Sequence, residues 1–286
     1  MGELDVIAWP YHAGLADVSM GLGASVLTAD EQFRAGLAAA GWKPRIVRVP
    51  PVDETLPEVA RIFELARRLA RCVTDARARH AFPMVLGGNC VSCLGTTAGA
   101  GGGQDGLGVV WLDAHADFDT PEDNLSGFTD VMGLAILTGG CWRALRNTIP
   151  GFSVVDEDRV VLVGTRALEP YQREQLSGSR LQVVPGAPEN ALNTALDTLR
   201  ERVERVYLHV DLDVLDASIG RPNAYAAPGG PKLDGVLAAI SQTFARFDVH
   251  AAALTAYDPR LDDGGTIAAA ARAIARHIAT LAAHQR

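Results

Sequence analysis

With 286 residues, 48% of them hydrophobic and 21% charged, the chain has the composition of an ordinary globular protein and is long enough to bury a substantial core. A formal net charge of −8 argues against a nucleic-acid surface, which needs a basic patch. The four cysteines (Cys72, Cys90, Cys93 and Cys141) show neither metal-knuckle spacing nor a small-secreted framework, so reduced thiols and a cytoplasmic setting are expected. No apolar stretch reaches the roughly twenty residues of a membrane-spanning helix. The N-terminus lacks the basic and then apolar pattern of a signal peptide.

Taken in chain order, short β-like runs alternate with longer helical patterns. A strand is expected over Leu4–Trp9, a helix over Asp30–Ala40, a strand over Arg45–Val49 and a long helix over Leu56–His80. Basic residues between Arg61 and Arg79 are interleaved with Ile62, Leu65, Leu69 and Val73, the pattern of a helix with one wet face. Met84–Gly87 reads as a strand, Gly99–Gly108 as a flexible loop, and Gly108–Asp113, Arg159–Gly164 and Leu181–Val184 as further strands. The pattern closes with a helix over Ala187–Val203, a strand over Arg205–Asp211, a helix over Leu233–Phe247, a strand over Ala251–Tyr257 and a helix over Thr266–Ala283. Several strand runs are continuously apolar and rich in Val, as strands covered on both faces should be. The alternation predicts an α/β fold, a three-layer α-β-α arrangement with a mostly parallel sheet, as one domain over residues 1–286.

In such sheets, ligands bind outside the carboxyl ends of the strands. Three polar segments stand there: Gly87-Gly-Asn-Cys90, Asp113-Ala-His-Ala-Asp117 and Asp211-Leu-Asp213. Asp113, His115 and Asp117 are spaced by two, so an extended chain projects all three to one side, and Asp211 and Asp213 repeat the arrangement. Gathering four carboxylates is costly unless cations compensate. Two divalent cations balance them, and carboxylate oxygens with one imidazole suit manganese better than zinc.

These motifs, GGNC, DAHAD and DLDVLDA, resemble in order and spacing the GGDH, DAHxD and DxDxxDP segments of the ureohydrolases (arginases, agmatinases and relatives). The similarity extends to Gly21-Leu-Gly-Ala24, Gly164-Thr-Arg166 and Asp258-Pro-Arg-Leu-Asp262. The resemblance implies an arginase-like fold and two Mn(2+) ions. Asp117 and Cys90 would hold one metal, His115 and Asp213 the other, and Asp113 and Asp211 would bridge them. A hydroxide between the metals would attack the carbon of a guanidino amino acid.

Three departures from the family pattern bear on substrate. Cys90 stands at the position of a metal-binding His, which makes that site softer, more anionic and oxidisable. Asp130 stands by count where the family has an acid–base His, and is expected either to substitute for it or to cap the helix starting near Val131. Ala256 stands where arginases place a Glu that pairs with the guanidinium. Asn89 replaces an Asp beside the metals. Cys93 reads as helix core packing. The Cys-for-His ligand and the absent His resemble the family branch that hydrolyses Nω-hydroxy-L-arginine in D-cycloserine biosynthesis, an antibiotic pathway. That resemblance implies production of hydroxyurea and L-ornithine.

By position in the family, Asp119, Asn124, Ser126 and Glu169 would meet the α-amino-acid end of the substrate. An acid retained at Glu169 favours an amino acid over agmatine. The alternatives are an arginase or agmatinase acting on another guanidino compound, and a metal-binding pseudoenzyme. A deacetylase on the related fold fits less well, because one zinc does not need four aspartates. The chain ends soon after its last helical pattern, without the long tail of animal arginase trimers, and a monomer is expected.

Overall fold

Eight strands form one sheet in the computed structural model, which describes residues 2–101, 106–124 and 126–285. They are β1 Gly2–Trp9, β2 Trp42–Arg48, β3 Phe82–Gly87, β4 Leu107–Leu112, β5 Val160–Val163, β6 Gln182–Val184, β7 Arg205–Asp211 and β8 Asp248–Thr255. Every pairing in this sheet is parallel, and the order is β2-β1-β3-β8-β7-β4-β5-β6. A two-residue antiparallel pairing of Tyr11–His12 with Leu15–Ala16 follows β1. The expected three-layer parallel α/β arrangement is the one observed.

Among the described residues, ten α-helices accompany the strands: α1 Gly21–Ala29, α2 Glu31–Ala39, α3 Glu58–Ala78, α4 Cys93–Gly99, α5 Gly133–Leu137, α6 Arg143–Arg146, α7 Pro170–Gly178, α8 Glu189–Arg200, α9 Leu233–Arg246 and α10 Thr266–His284. Successive strand residues face opposite layers. Val6 and Ala8 join a core with α1, α2, α8, α9 and α10, whereas Ile7 and Trp9 join the core beneath α3, α4 and α5. On α3 the apolar face at Ile62, Leu65, Leu69 and Val73 is buried, while Arg67 and Arg68 turn outward to pair with Glu64. Among the described residues, no helix is long and apolar enough to cross a membrane.

The strand read as Arg45–Val49 instead spans Trp42–Arg48 and includes Pro44. Proline offers no ladder donor, and this strand accepts it because it lies at the sheet edge. The strand read as Ala251–Tyr257 spans Asp248–Thr255, because Ala256 turns to a left-handed φ of 63° and ends the ladder. Helices α1, α4, α5, α6 and α7 were not read from periodicity. In α1 the reason is packing: a Cβ on Gly23 would lie 2.2 Å from the Tyr257 carbonyl oxygen, so glycine is required where helix propensity disfavours it. Within the expected Gly99–Gly108 loop, residues 102–105 lie outside the described residues.

Asp30 separates α1 from α2 and caps the latter, accepting from the Gln32 N–H at 2.7 Å and the Phe33 N–H at 3.4 Å. It also accepts from Arg272 on α10 at 2.7 Å. Asp30→Ala should therefore destabilise the fold by about 1 kcal/mol. The expected readout is a lower denaturant midpoint at unchanged m value, and an unmoved midpoint would refute the capping role.

Candidate metal centre

The expected ligands come together where β3, β8, β7 and β4 lie side by side and end. Thr255 is in register with both Gly87 and Asp211, so these three strand ends are level. The chain leaving β3 must pass close beneath Tyr11 and α1. A Cβ on Gly88 would lie 2.3 Å from the Tyr11 carbonyl oxygen and 2.6 Å from the Gly21 Cα. That close approach sets Asn89 and Cys90 over the sheet edge. Cys90 Sγ lies 2.8 Å from Asp211 Oδ2 and 3.2 Å from Thr255 Oγ1.

Backbone donors orient the acids. The His115 N–H reaches Asp113 Oδ1 at 2.7 Å, and the Asp213 N–H reaches Asp211 Oδ1 at 2.7 Å. Trp111 Nε1 donates to Asp113 Oδ2 at 3.0 Å, and Asn223 Nδ2 to Asp213 Oδ2 at 3.0 Å. His115 Nδ1 sits 3.4 Å from Asp113 Oδ1 and 3.3 Å from Asp213 Oδ2. Asp117 adopts a left-handed φ of 47°, a conformation aspartate tolerates better than most residues, and its carbonyl accepts the Leu134 N–H at 2.8 Å.

The cluster is electrostatically frustrated. Burial, then the charge on Asp213, pushes Asp113 up to about 6. Burial and the neighbouring carboxylates raise Asp117 and Asp211 well above the ordinary aspartate range. Burial alone would lower His115, but Asp213 and Asp113 override it and push the imidazole up to about 12. Asp213 moves the other way: burial opposes its charge, but His115, Asn223 and the Ala114 N–H hold it below the usual range. Burial, reinforced by Asp211, raises the Cys90 thiol. Protons thus occupy positions that cations would relieve. The geometry fits: ligand atoms of Asp113, His115 and Asp213 all lie within 4.8 Å of one another, as do those of Cys90, Asp113 and His209.

Asp130 is buried in a short 3₁₀ turn over Thr129–Met132 and gives that turn no side-chain cap. Instead it accepts from Asn89 Nδ2 at 2.5 Å and from the Val91 N–H at 3.0 Å. Burial pushes it up to about 7 against those donors. Cys93 is fully buried at the start of α4. A cavity of about 80 Å³ opens beside the ligands, walled by Phe128, Asp130, Gln172, Asn223, Tyr225 and Ala256.

None of Asp119, Asn124, Ser126 and Glu169 walls that cavity. Asp119 is buried and its oxygens are taken by Asn124 Nδ2 at 3.1 Å, Tyr171 Oη at 2.9 Å and Gln172 Nε2 at 2.9 Å. Asn124 Oδ1 accepts from Ser126 Oγ at 2.5 Å and from the Gly127 N–H at 3.0 Å. Glu169 is exposed, and its N–H donates to Gln172 Oε1 at 2.9 Å. This loop organises itself and delivers Gln172 to the cavity.

Several contributors went unread in the sequence. His209 lies two residues before Asp211 and so shares its strand face, a period-two signal that was available. Arg166 belongs to the matching Gly164-Thr-Arg166 segment, but its role is set by contacts distant in sequence. Its guanidinium donates to the carbonyls of Gly164 (2.9 Å), Asp213 (3.0 Å), Leu215 (3.1 Å), Ala227 (2.9 Å) and Pro228 (3.0 Å), clamping the loop that carries Asp213 and Asn223.

A doubly covered parallel sheet with buried, metal-competent acids at its carboxyl edge defines an α/β protein with a candidate dinuclear metal centre. The model of the Arginase family matches residues 38–280, and the chain belongs to that family. The arginase of Bacillus caldovelox is 32% identical over 173 residues, which is 58% of this chain and 58% of that protein. The arginase of Bacillus subtilis (strain 168) is 30% identical over 190 residues, 64% of this chain and 62% of that protein. The matched segment is less than two thirds of either relative's length. The crystal structure of arginase from Bacillus subtilis shares the fold, with a TM-score of 0.84 at 24% identity, covering 97% of this chain and 98% of that one.

The frustration predicts a pH dependence. Folded, metal-free protein keeps protons on Asp113, Asp117 and Asp211 above their ordinary value of 3.8, where the unfolded chain has released them. The native state then binds more protons, so stability falls as pH rises through about 6 and beyond. His115 acts in the same direction at higher pH: its contribution is complete below 6.5 and is lost as pH rises through about 12. Asp213 opposes this only in acid, since its contribution is present above 3.8 and lost below. The Tm of metal-free protein should fall between about pH 5 and about pH 8, and added manganese should raise Tm more at the higher pH, where ligands are deprotonated. A metal-free Tm that climbs over this interval would contradict the description.

Proposed function

We propose that this chain is a dinuclear manganese amidinohydrolase that converts Nω-hydroxy-L-arginine and water to hydroxyurea and L-ornithine. Cys90, Asp113, His115, Asp117, Asp211 and Asp213 would hold the metals, with Cys90 and Asp117 toward one and His115 and Asp213 toward the other. Bound there, the metals supply Lewis acidity and a water nucleophile at neutral pH. The bond broken joins the guanidino carbon to the ornithine δ nitrogen, and that nitrogen leaves with a proton. Asp130, an acid in the cavity wall, would carry protons there.

The observation that carries the substrate choice is Ala256. It is 2% exposed and forms part of the cavity wall, so no carboxylate faces the guanidino group at that point. A cationic guanidinium lacks its ion partner, whereas an N-hydroxyguanidine is much less basic and enters largely neutral. The donor set supports the same reading. Four carboxylates and a thiolate exceed the charge of two dications by one, so the metals themselves are less electrophilic. By their place in the family pattern, Asp119, Asn124, Ser126 and Glu169 would take the α-amino-acid end, and Gln172, which donates to Asp119, stands in the cavity wall.

Manganese-reconstituted protein should bind close to two metals per chain, and Asp211→Asn or Asp113→Asn should abolish turnover by removing a carboxylate that would hold them. A saturated content near one metal with full activity would refute the dinuclear assignment. Losing a charge-assisted contact to a buried cation costs roughly 2–5 kcal/mol, so kcat/KM for Nω-hydroxy-L-arginine should exceed that for L-arginine at least about a hundredfold. Ala256→Glu should narrow that ratio. Equal turnover of both substrates, measured as hydroxyurea against urea, would overturn the substrate choice. Bound metal without hydrolysis across a guanidine panel would identify a pseudoenzyme.

A further inference from the structure

Behind Cys90 runs a buried line of hydrogen bonds that no ligand role explains. Tyr207 and His209 are two residues apart on β7, and Tyr207 Oη meets His209 Nδ1 at 2.7 Å. His209 Nε2 meets Thr255 Oγ1 at 3.1 Å, and Thr255 Oγ1 meets Cys90 Sγ at 3.2 Å. All four side chains are at most 2% exposed. Trp111 is the register partner of His209 and stacks on it, with centroids 3.7 Å apart and planes at 11°. The same indole donates to Asp113, so one stacked pair of rings reaches toward two expected ligands.

We propose that Tyr207, His209 and Thr255 form a one-way hydrogen-bond relay that orients Cys90 and tempers its sulfur as a metal ligand, which makes His209 and Thr255 positioning residues. The inference rests on the reading that Cys90 binds metal. Its polarity follows from the acceptors. The thiol hydrogen points to Asp211 Oδ2 at 2.8 Å, so toward Thr255 the sulfur only accepts. A metal-bound sulfur has no hydrogen and likewise only accepts. Thr255 therefore donates to sulfur; its other acceptor, the Val210 carbonyl, is 3.5 Å away. The lone pair of Thr255 then takes the hydrogen of His209 Nε2, and a neutral imidazole with that hydrogen accepts the Tyr207 hydroxyl at Nδ1. Both ring nitrogens are committed, so His209 does not act as a third ligand despite its proximity to Cys90 and Asp113. A hydrogen bond to a thiolate withdraws electron density from it, which offsets part of the softness that distinguishes Cys90 from an imidazole ligand.

The test uses full-length protein loaded with cobalt(II), reading the thiolate-to-cobalt charge-transfer band and the affinity of each metal site. Thr255→Val removes the hydroxyl at nearly constant shape. It should weaken the Cys90-side metal about 10–100-fold, leave the His115-side metal in place, and move the band to longer wavelength. Thr255→Ser should restore both affinity and band position, and His209→Phe, which keeps the stack on Trp111, should move the band in the same direction by less. Weaker binding with an unmoved band is a packing defect and overturns the relay, as does a Thr255→Val protein identical to wild type. Loss of the band in His209→Phe with none of these changes in Thr255→Val would make His209 a ligand and also overturn it. Wild-type protein that binds cobalt without any such band would instead overturn the assignment of Cys90 as a ligand, on which the relay rests.

Discussion

The carboxylates of Asp113, Asp117, Asp211 and Asp213 are 1%, 8%, 4% and 2% exposed, and they converge from two adjacent strands of one sheet. Taking one such ion from water into a medium like dry protein costs on the order of 20 kcal/mol in the idealised limit, and neighbouring like charges add to it. The surrounding donors, namely the N–H groups of Ala114, His115 and Asp213, the Trp111 indole and the Asn223 amide, supply direction and partial charge. None supplies a full positive charge. In the metal-free chain the acids retain protons and His115 holds one tightly, which relieves the repulsion that bound cations would otherwise offset. Much of the local architecture serves to hold this arrangement: Gly88 brings the β3 loop into reach, and Arg166 pins the loop after β7 through four carbonyls.

Two departures from the family motifs turn out to be neighbours. Asn89 replaces an Asp and Asp130 replaces a His by count, and the two side chains meet at 2.5 Å. By that count the acid stands on the other side of the contact, in the turn before α5. Cys90 and Ala256 extend the same trend. In the proposed reading a metal-bound Cys90 thiolate adds negative charge beside the metals, while Ala256 leaves the cavity wall without any. In the proposed reading, anionic charge has shifted from the guanidino side to the metal side, which disfavours a cationic substrate less by blocking it than by failing to pair with it.

Local rules go far in this chain because its chemistry sits at strand ends. Side chains two apart on an extended segment share a face. Asp113, His115 and Asp117, with Asp211 and Asp213, could therefore be grouped before any neighbour was known. The Val-rich runs likewise implied strands covered on both sides. Trp111 and His209 lie one step further back along the same faces. Loop chemistry resisted it. Asp119, Asn124 and Ser126 are polar residues in the expected place, but their atoms are engaged with one another, with Tyr171 or with Gln172.

By itself, then, the sequence determined the layered parallel architecture, the acid-bearing segments at the strand ends and the charge problem they create, all consequences of periodicity and residue type. Strand order was decided only in three dimensions. It places β8 between β3 and β7, so that Thr255 meets Cys90 across 165 residues and His209 across 46. It also places Trp111 beside His209 and Asp113 beside Asp213. Such partners depend on which strands become neighbours, and that is set by the packing of whole layers around two cores. Propensity and spacing act over a few residues along the chain and carry no record of it.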